Sequence, residues 1–555
     1  MNILLRYKKT FFNIFIIFLL ILIIDTISFH LGEDFNWDLR VFHFYNGYIY
    51  LNGSYIKDSL GYFLDPFCNS FYYLLIYNFN PLIVAFVIST IQSFSIILIF
   101  FLSMILFDDF IYSQRIIISF FIALSGIFGP IFISELGGTM NDVLLSCLII
   151  ASVLFCVKAL NNINNNVNVK KNILFIILSG AMIGIASGLK LTNLIYLLSI
   201  SFSFGIILFL SKNKTDLNKL FYFIIFIFSI FLFFTITLMP MGLQLWNNFR
   251  NPIFPFFNNL FKSPYYKTIA WHDNRWFPKS FLTYIEMPFL FMFQSPVWWR
   301  PNLSYWMGME MPYRVFTFAA IALLLPFYFI LKVKEYIKKK DIKNKEFLFL
   351  IFFFTTSFII WQFEFSYYRY IATLEIMAPL ILMLMLFSLF KKYNKFILYF
   401  CLLVVISISI LGYPTDNWGR IKPFPENYFG LNKKTFKKFS NSLIIVGNQT
   451  GMPFNFVLPY FPSGDQFLFA DSGINNKKYN KRYYSRIPRL LWKNKKAYFI
   501  TNNLSIYKKK KYLLLSNYKF IIFYSRCEKI NNPIKYSWLM AATFPLFICK
   551  VSFLN

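Results

Sequence analysis

FYFIIFIFSIFLFFTITL, residues 221–238, carries no charged side chain. FSIILIFFLSMIL, residues 94–106, reads the same way. Each belongs to a window of about 20 apolar residues, the length a helix needs to cross the hydrocarbon layer of a bilayer. Such runs recur along most of the 555 residues, 57% of which are hydrophobic and only 14% charged. A soluble domain does not have this composition. The expected fold is an all-α polytopic membrane protein of about eleven transmembrane helices, with outer loops and a small C-terminal α/β extracytoplasmic domain. The spans fall near 11–31, 81–107, 116–134, 143–160, 172–189, 193–211, 220–243, 315–332, 346–363, 371–390 and 396–412.

Charge fixes the expected orientation. Arg6, Lys8 and Lys9 precede the first span. Lys158, Lys170 and Lys171, then Lys212, Lys214 and Lys219, then the lysines of 332–345, then Lys391 and Lys392 all fall on that same side. Basic residues stay in the cytoplasm, so the N-terminus is expected inside and the C-terminus outside, in a cell inner membrane. The stretch 25–30, DTISFH, offers no small-x-small cleavage site, and the first span reads as an uncleaved anchor. A net charge of +31 would suggest nucleic acid in a soluble chain. In loops between spans it orients helices and touches anionic headgroups instead, so no nucleic-acid partner is expected. An AT-rich host genome would also enrich Lys, Asn, Ile and Phe.

Three sizeable pieces are then left outside: 32–80, 244–314 and 413–555. The expected division is a transmembrane domain, 1–412, and an extracytoplasmic domain, 413–555. Residues 38–52 read as an amphipathic helix, with Leu39, Phe42, Ile49 and Tyr50 near helical spacing, ended by Asn52-Gly53. In the tail, 442–447, 496–501 and 520–524 read as strands. Cys527 and Cys549 both lie there, either as a disulfide or as two thiols.

At the outer end of the first span stands Gly32-Glu33-Asp34-Phe35-Asn36-Trp37-Asp38. An acidic cluster followed by an interfacial helix resembles the GT-C superfamily of membrane glycosyltransferases. The stretch from Trp37-Asp38-Leu39 to His43-Phe44-Tyr45-Asn46 is similar to the corresponding segment of a bacterial GT-C-like group. So are Ser134-Glu135-Leu136-Gly137, Gly188-Leu189-Lys190-Leu191-Thr192-Asn193 and Asn251-Pro252-Ile253-Phe254-Pro255-Phe256-Phe257-Asn258. Tyr368-Arg369-Tyr370, with Glu375 and Pro379, resembles the Arg-Tyr turn of the wider superfamily. The resemblance follows chain order up to residue 412. It implies transfer of a sugar from a polyprenyl-phosphate donor, with inversion, to an envelope glycan, lipid or protein.

That chemistry has two requirements of its own. A carboxylate must take the acceptor's proton, and cations must meet the departing phosphate. Asp38 aligns, in the resemblance, with the acidic residue opening the interfacial helix. It is the first choice as base, the alternative being a helix N-cap. Asp34, four residues earlier, and Glu33 complete the catalytic set; neighbouring carboxylates raise one another's pKa. Three carboxylates are also a possible site for a divalent cation. Arg369, in a short outer turn, suits phosphate oxygens, unless it snorkels to headgroups. Lys190 opposes the inside bias of the other lysines, and either binds phosphate, with Tyr370 nearby, or pairs with Asp142 or Glu135. Sugar or acceptor contacts are expected from His43, Glu135, Asp142, His272, Asp273, Arg275, Glu310 and Arg314.

Other classes lack signals. The chain has only three histidines and no zinc-ligand spacing, and no Walker-type loop. Asp108-Asp109 falls on the inner side. An O-antigen polymerase or ligase would use similar substrates. A lipid-linked glycan transporter or flippase is a further alternative, but transporters often show related halves, and no internal repeat is visible. An inactive enzyme-like scaffold is a third.

Overall fold

The computed structural model describes the chain apart from residues 1, 53–65, 166–167, 211–214, 265, 271–272, 274–275, 294–312, 340–343, 391–394, 413–418, 448–454, 471–495, 509–512, 516–517, 531–545 and 555. In chain order its main helices are α1 (Asn2–Leu31), α2 (Phe44–Asn52), α3 (Pro66–Asn78), α4 (Pro81–Leu106), α5 (Tyr112–Ser125), α6 (Pro130–Glu135), α7 (Asn141–Asn164) and α8 (Val169–Leu189). They continue with α9 (Leu194–Leu210), α10 (Asp216–Phe249), α11 (Phe281–Leu290), α12 (Thr317–Lys339), α13 (Lys345–Glu364), α14 (Ala372–Phe390) and α15 (Lys395–Ile410). Among the described residues nine helices are long and apolar enough to cross a membrane, and Tyr112–Phe128, Phe281–Leu290 and Phe396–Ile410 are shorter apolar ones. All but Phe281–Leu290 coincide with the eleven runs read from hydropathy. The chain is a polytopic membrane protein.

One expected span is not continuous. The run 116–134 is split into α5, a 3-10 turn at Gly126–Phe128, and the separate α6. Pro130 is the cause. Its ring disfavours helical geometry in the preceding residue, and Gly129 is extended, with φ −66° and ψ 136°.

The chain forms two compact units, each gathered from separated segments. The first comprises Met1–His30, Phe86–Leu238 and Asp273–Trp418. Here α7 packs on α8, α9 on α13, and α12 and α15 on α14. Every residue of α14 from Ala372 to Met385 is buried, so this helix is the axis of the bundle. Gly180, Gly184 and Gly188 let α8 approach α10 closely: a Cβ at Gly184 would stand 2.7 Å from the carbonyl oxygen of Ile230. The 24 residues of α7 give a rod about 36 Å long, more than the hydrocarbon thickness. At its C-terminal end Asn164 donates to Glu346 at 2.9 Å, beside the lysine-bearing starts of α8 and α13. Its N-terminal end meets the end of α8 and the start of α14.

The second unit comprises Leu31–Ala85, Met239–His272 and Gly419–Asn555. Its strands are β1 (Glu33–Asp34), β2 (Arg420–Ile421), β3 (Ser442–Gly447), β4 (Gln466–Phe469), β5 (Lys496–Thr501), β6 (Leu513–Leu515), β7 (Tyr518–Ile530) and β8 (Leu546–Leu554). The last six make one sheet in the order β4-β3-β5-β8-β7-β6, parallel among β4, β3 and β5 and antiparallel beyond. The expected strands at 442–447, 496–501 and 520–524 are present, joined by β4, β6 and β8. Leu443, Ile445, Leu468, Phe499 and Phe520 form the core on one face. On the other, Tyr45 of α2 meets Phe467 and Phe469, with ring centroids 6.3 and 5.9 Å away. Cys527 and Cys549 are register partners on β7 and β8 and are disulfide-bonded.

Candidate active site

In the first unit, charged side chains gather where α7 and α14 begin and α8 ends. Lys190 is the residue on which α8 stops, and Asp142 lies in the first turn of α7. Lys190 Nζ donates to Asp142 Oδ1 at 2.6 Å. Arg369, in the turn leading into α14, approaches Asp142 Oδ2 with Nε at 3.2 Å. One carboxylate therefore holds two cations. Both stand by the Tyr370 ring, Lys190 Nζ at 5.2 Å and the Arg369 guanidinium at 5.6 Å from its centroid. The Tyr370 carbonyl accepts from the Tyr196 hydroxyl at 2.8 Å. A ring face attracts cations, so Tyr370 supports the arrangement. All three charged residues are at most 9% exposed.

Glu135 ends α6 beside this cluster and is fully buried. Its Oε2 accepts from the Val143 amide at 2.9 Å in the first turn of α7, while Oε1 has no hydrogen-bond partner among the described residues. Burial, then the neighbouring Asp142 carboxylate, pushes its carboxyl well above the ordinary range, with Arg369 and Lys190 opposing. Lys190, Arg369 and Asp142 together carry one net positive charge, suited to an anion. Gln92 of α4 fixes the loop after α6, donating to the Glu135 carbonyl at 3.1 Å and accepting from the Gly137 amide at 2.8 Å. Sequence reasoning passed over Gln92, although a glutamine inside an apolar span was a signal.

In the second unit, the acidic stretch divides by role. Asn36, rather than Asp38, caps the interfacial helix: its Oδ1 accepts the Leu39 amide at 2.8 Å. Asp38 makes no side-chain capping bond, and it is half-buried. Directly after it the backbone widens into a π-turn, Leu39–His43, before α2. Such turns concentrate at functional sites. Asp34 accepts from the Asn36 side chain at 2.7 and 2.9 Å and from its amide at 3.0 Å. Glu33 accepts from the Phe429 amide at 3.1 Å. Burial, with Asp34 adding to it and that hydrogen bond opposing, pushes the Glu33 carboxyl up to about 8. Both residues lie in β1, paired with β2, and the Tyr428 hydroxyl donates to the Asp34 carbonyl at 3.1 Å. Glu33 and Asp34 thus join the first loop to the tail.

The remaining expected contacts are scattered or outside the described residues. His43 is half-buried, its ring 6.2 Å from that of Tyr72. Asp273 is half-buried and Arg314 exposed. His272, Arg275 and Glu310 lie outside the described residues. No group of three or more His, Cys, Asp or Glu placed to hold a metal ion exists among the described residues, so Glu33, Asp34 and Asp38 do not form one.

No protein-family model and no curated protein sequence matches the chain. Among solved structures it is similar to ArnT from Cupriavidus metallidurans bound to undecaprenyl phosphate, with 10% identity, a TM-score of 0.48 and 97% of each chain covered. It is also similar to an Archaeoglobus fulgidus oligosaccharyltransferase in the apo form, with 13% identity, a TM-score of 0.41, and 88% of this chain and 69% of that one covered. The oligosaccharyltransferase AglB of the same organism, in complex with an inhibitory peptide and a dolichol-phosphate, gives 13% identity and a TM-score of 0.38, with 88% of this chain and 69% of that one covered.

Proposed function

We propose that the chain is a GT-C-like membrane glycosyltransferase that moves a sugar from a polyprenyl-phosphate carrier to an envelope glycan, lipid or protein. The observation carrying this reading is that Asp142 gathers Lys190 and Arg369 at the end of the bundle away from the lysine-bearing loops. By the charge rule that end faces outside, where nucleotide sugars are absent and a lipid-linked donor is needed. A disulfide-bonded tail suits the same oxidising side. The protein would sit in the inner membrane with its N-terminus in the cytoplasm.

The roles follow from the chemistry. An acceptor hydroxyl oxygen attacks the anomeric carbon as the bond from that carbon to the phosphate oxygen breaks. The hydroxyl proton passes to a carboxylate base, the role that the sequence resemblance gives to Asp38, and the electron pair leaves with the polyprenyl phosphate. Arg369 and Lys190 neutralise the charge that develops on it, Arg by a planar fork matched to phosphate oxygens and Lys as a point charge.

The test is mass spectrometry of envelope glycans and polyprenyl-phosphate sugars. A deletion strain would be compared with strains carrying wild type, Asp38→Asn or Arg369→Ala. Loss of one sugar with build-up of its lipid donor, rescued by wild type and by neither variant, is expected. Unchanged glycans with lipid intermediates shifted between leaflets would point to transport instead.

A further inference from the structure

Glu375 is a carboxylate inside an apolar helix, and the roles above do not use it. It is 3% exposed, on the first turn of α14. Burying an ion there is expensive unless its oxygens are satisfied. Three bonds satisfy them. Oε1 accepts from the amides of Ile131 at 2.9 Å and Phe132 at 3.1 Å, first-turn donors that have no partner within α6 itself. Oε2 accepts from the Tyr368 hydroxyl at 2.8 Å.

The two ends of this clasp lead to the two sides of the charged cluster. Tyr368 is bonded along the chain to Arg369, and its ring is fixed by stacking on Tyr313 at 4.3 Å and by the edge of Phe291 at 4.8 Å. On the other side α6 is a single short helix, and Glu135 is its last residue. Glu135 in turn holds the Val143 amide beside Asp142. We propose that Glu375 is a positioning residue for the donor phosphate, setting the spacing between Arg369 and the Glu135–Asp142 pair. It acts through Tyr368 and α6. The inference rests on the polyprenyl-phosphate reading and deepens it.

Gly129 supplies an independent handle on the clasp. A Cβ at this position would lie 2.1 Å from Glu375 Oε1 and 2.5 Å from its carboxyl carbon. The Gly129 backbone, at φ −66° and ψ 136°, is one that alanine adopts without strain. Gly129→Ala therefore displaces the carboxylate while leaving every charged group in the sequence.

The experiment measures binding of undecaprenyl phosphate to the purified full-length protein in nanodiscs, with thermal unfolding recorded on the same samples. The variants are Gly129→Ala, Tyr368→Phe, Glu375→Gln and the double Gly129→Ala/Glu375→Ala. Gly129→Ala should weaken binding by roughly tenfold to a hundredfold, the scale of a misplacement near 1 Å. Tyr368→Phe, which removes one hydroxyl, should also weaken it. Glu375→Gln keeps one acceptor for the α6 amides and should fall between wild type and Gly129→Ala. In the double variant the added methyl no longer meets the carboxylate, so its loss should not exceed that of Gly129→Ala. In a transfer assay the loss should appear as a raised donor KM, with acceptor KM unchanged. Wild-type affinity in Gly129→Ala and Tyr368→Phe overturns the inference and leaves the proposed function standing. Wild type that binds no undecaprenyl phosphate overturns both.

Discussion

Lys190 Nζ lies 2.6 Å from Asp142 Oδ1, and the pair joins the end of one membrane helix to the start of another 48 residues earlier. Two buried ions so close are each other's main compensation for lost hydration.

Removing either partner alone should be costly. Asp142→Ala also leaves Arg369 and Lys190 facing each other without a counter-ion, and a loss on the order of 3–5 kcal/mol is expected. Lys190→Met leaves Arg369 to compensate Asp142 and should cost less. The double variant should lose less than the sum of the singles, by about 1 kcal/mol or more. Thermal unfolding of the four proteins in one detergent measures this, and strict additivity would refute the coupling.

Asp38 and Asn36 should separate cleanly. Asp38→Asn, which keeps the size and shape of the side chain, is expected to abolish sugar transfer while the protein still folds and inserts. Asn36→Ala removes the cap on Leu39 and should cost about 1 kcal/mol. An active, well-expressed Asp38→Asn protein removes Asp38 from the chemistry.

The acidic strand predicts a pH dependence. Glu33 titrates near 4.5 in the unfolded chain and near 8 when folded. The folded state therefore holds the extra proton between those values, and stability falls as pH rises from about 4.5 to about 8, then levels off. Asp465, pushed up to about 7 mainly by burial, adds a fall over the lower part of the same window. Glu33→Gln should flatten the upper part of the profile. Hydrogen exchange around Phe429, followed from pH 5 to 9, reports it directly; identical profiles for wild type and Glu33→Gln would exclude Glu33 as the source.

The bond between Cys527 and Cys549 closes a loop with a sequence separation of 22. Chain-entropy reasoning gives it about 3 kcal/mol in the tail. Cys527→Ser/Cys549→Ser should lower the tail's unfolding midpoint accordingly. Both thiols reacting with a maleimide without prior reduction, in protein isolated from the membrane, would show that the bond does not form.

Sequence made the spans legible because an apolar window is a local property, and the charge asymmetry of the loops is nearly as local. The interruption at Gly129-Pro130 was overlooked for the same reason: a hydropathy window averages across a turn whose two residues are themselves uncharged. The capping residue was not legible: Asp38 was the candidate cap as the alternative to a base, but the Leu39 amide bonds Asn36, two residues earlier and with the same capping chemistry. The Lys190–Asp142 pair was one of the alternatives open at the sequence level, because an outward lysine at a membrane helix end needs a counter-ion. Glu375 shows the limit. Its partners Ile131 and Phe132 are 244 and 243 residues away and act through backbone amides, which no residue type announces.

The pairing of β1 with β2 joins Asp34 to Arg420, roughly 385 residues later in the chain. At about 5–20 residues per second of synthesis, the first strand waits on the order of 20–80 s for its partner to be made. During that interval Glu33 and Asp34 have no Phe429 amide or Tyr428 hydroxyl beside them, and stay hydrated. The first loop is thus a bookmark, held open through most of translation, and the protein's second unit matures last. A chain halted before residue 420 would leave β1 without its strand partner.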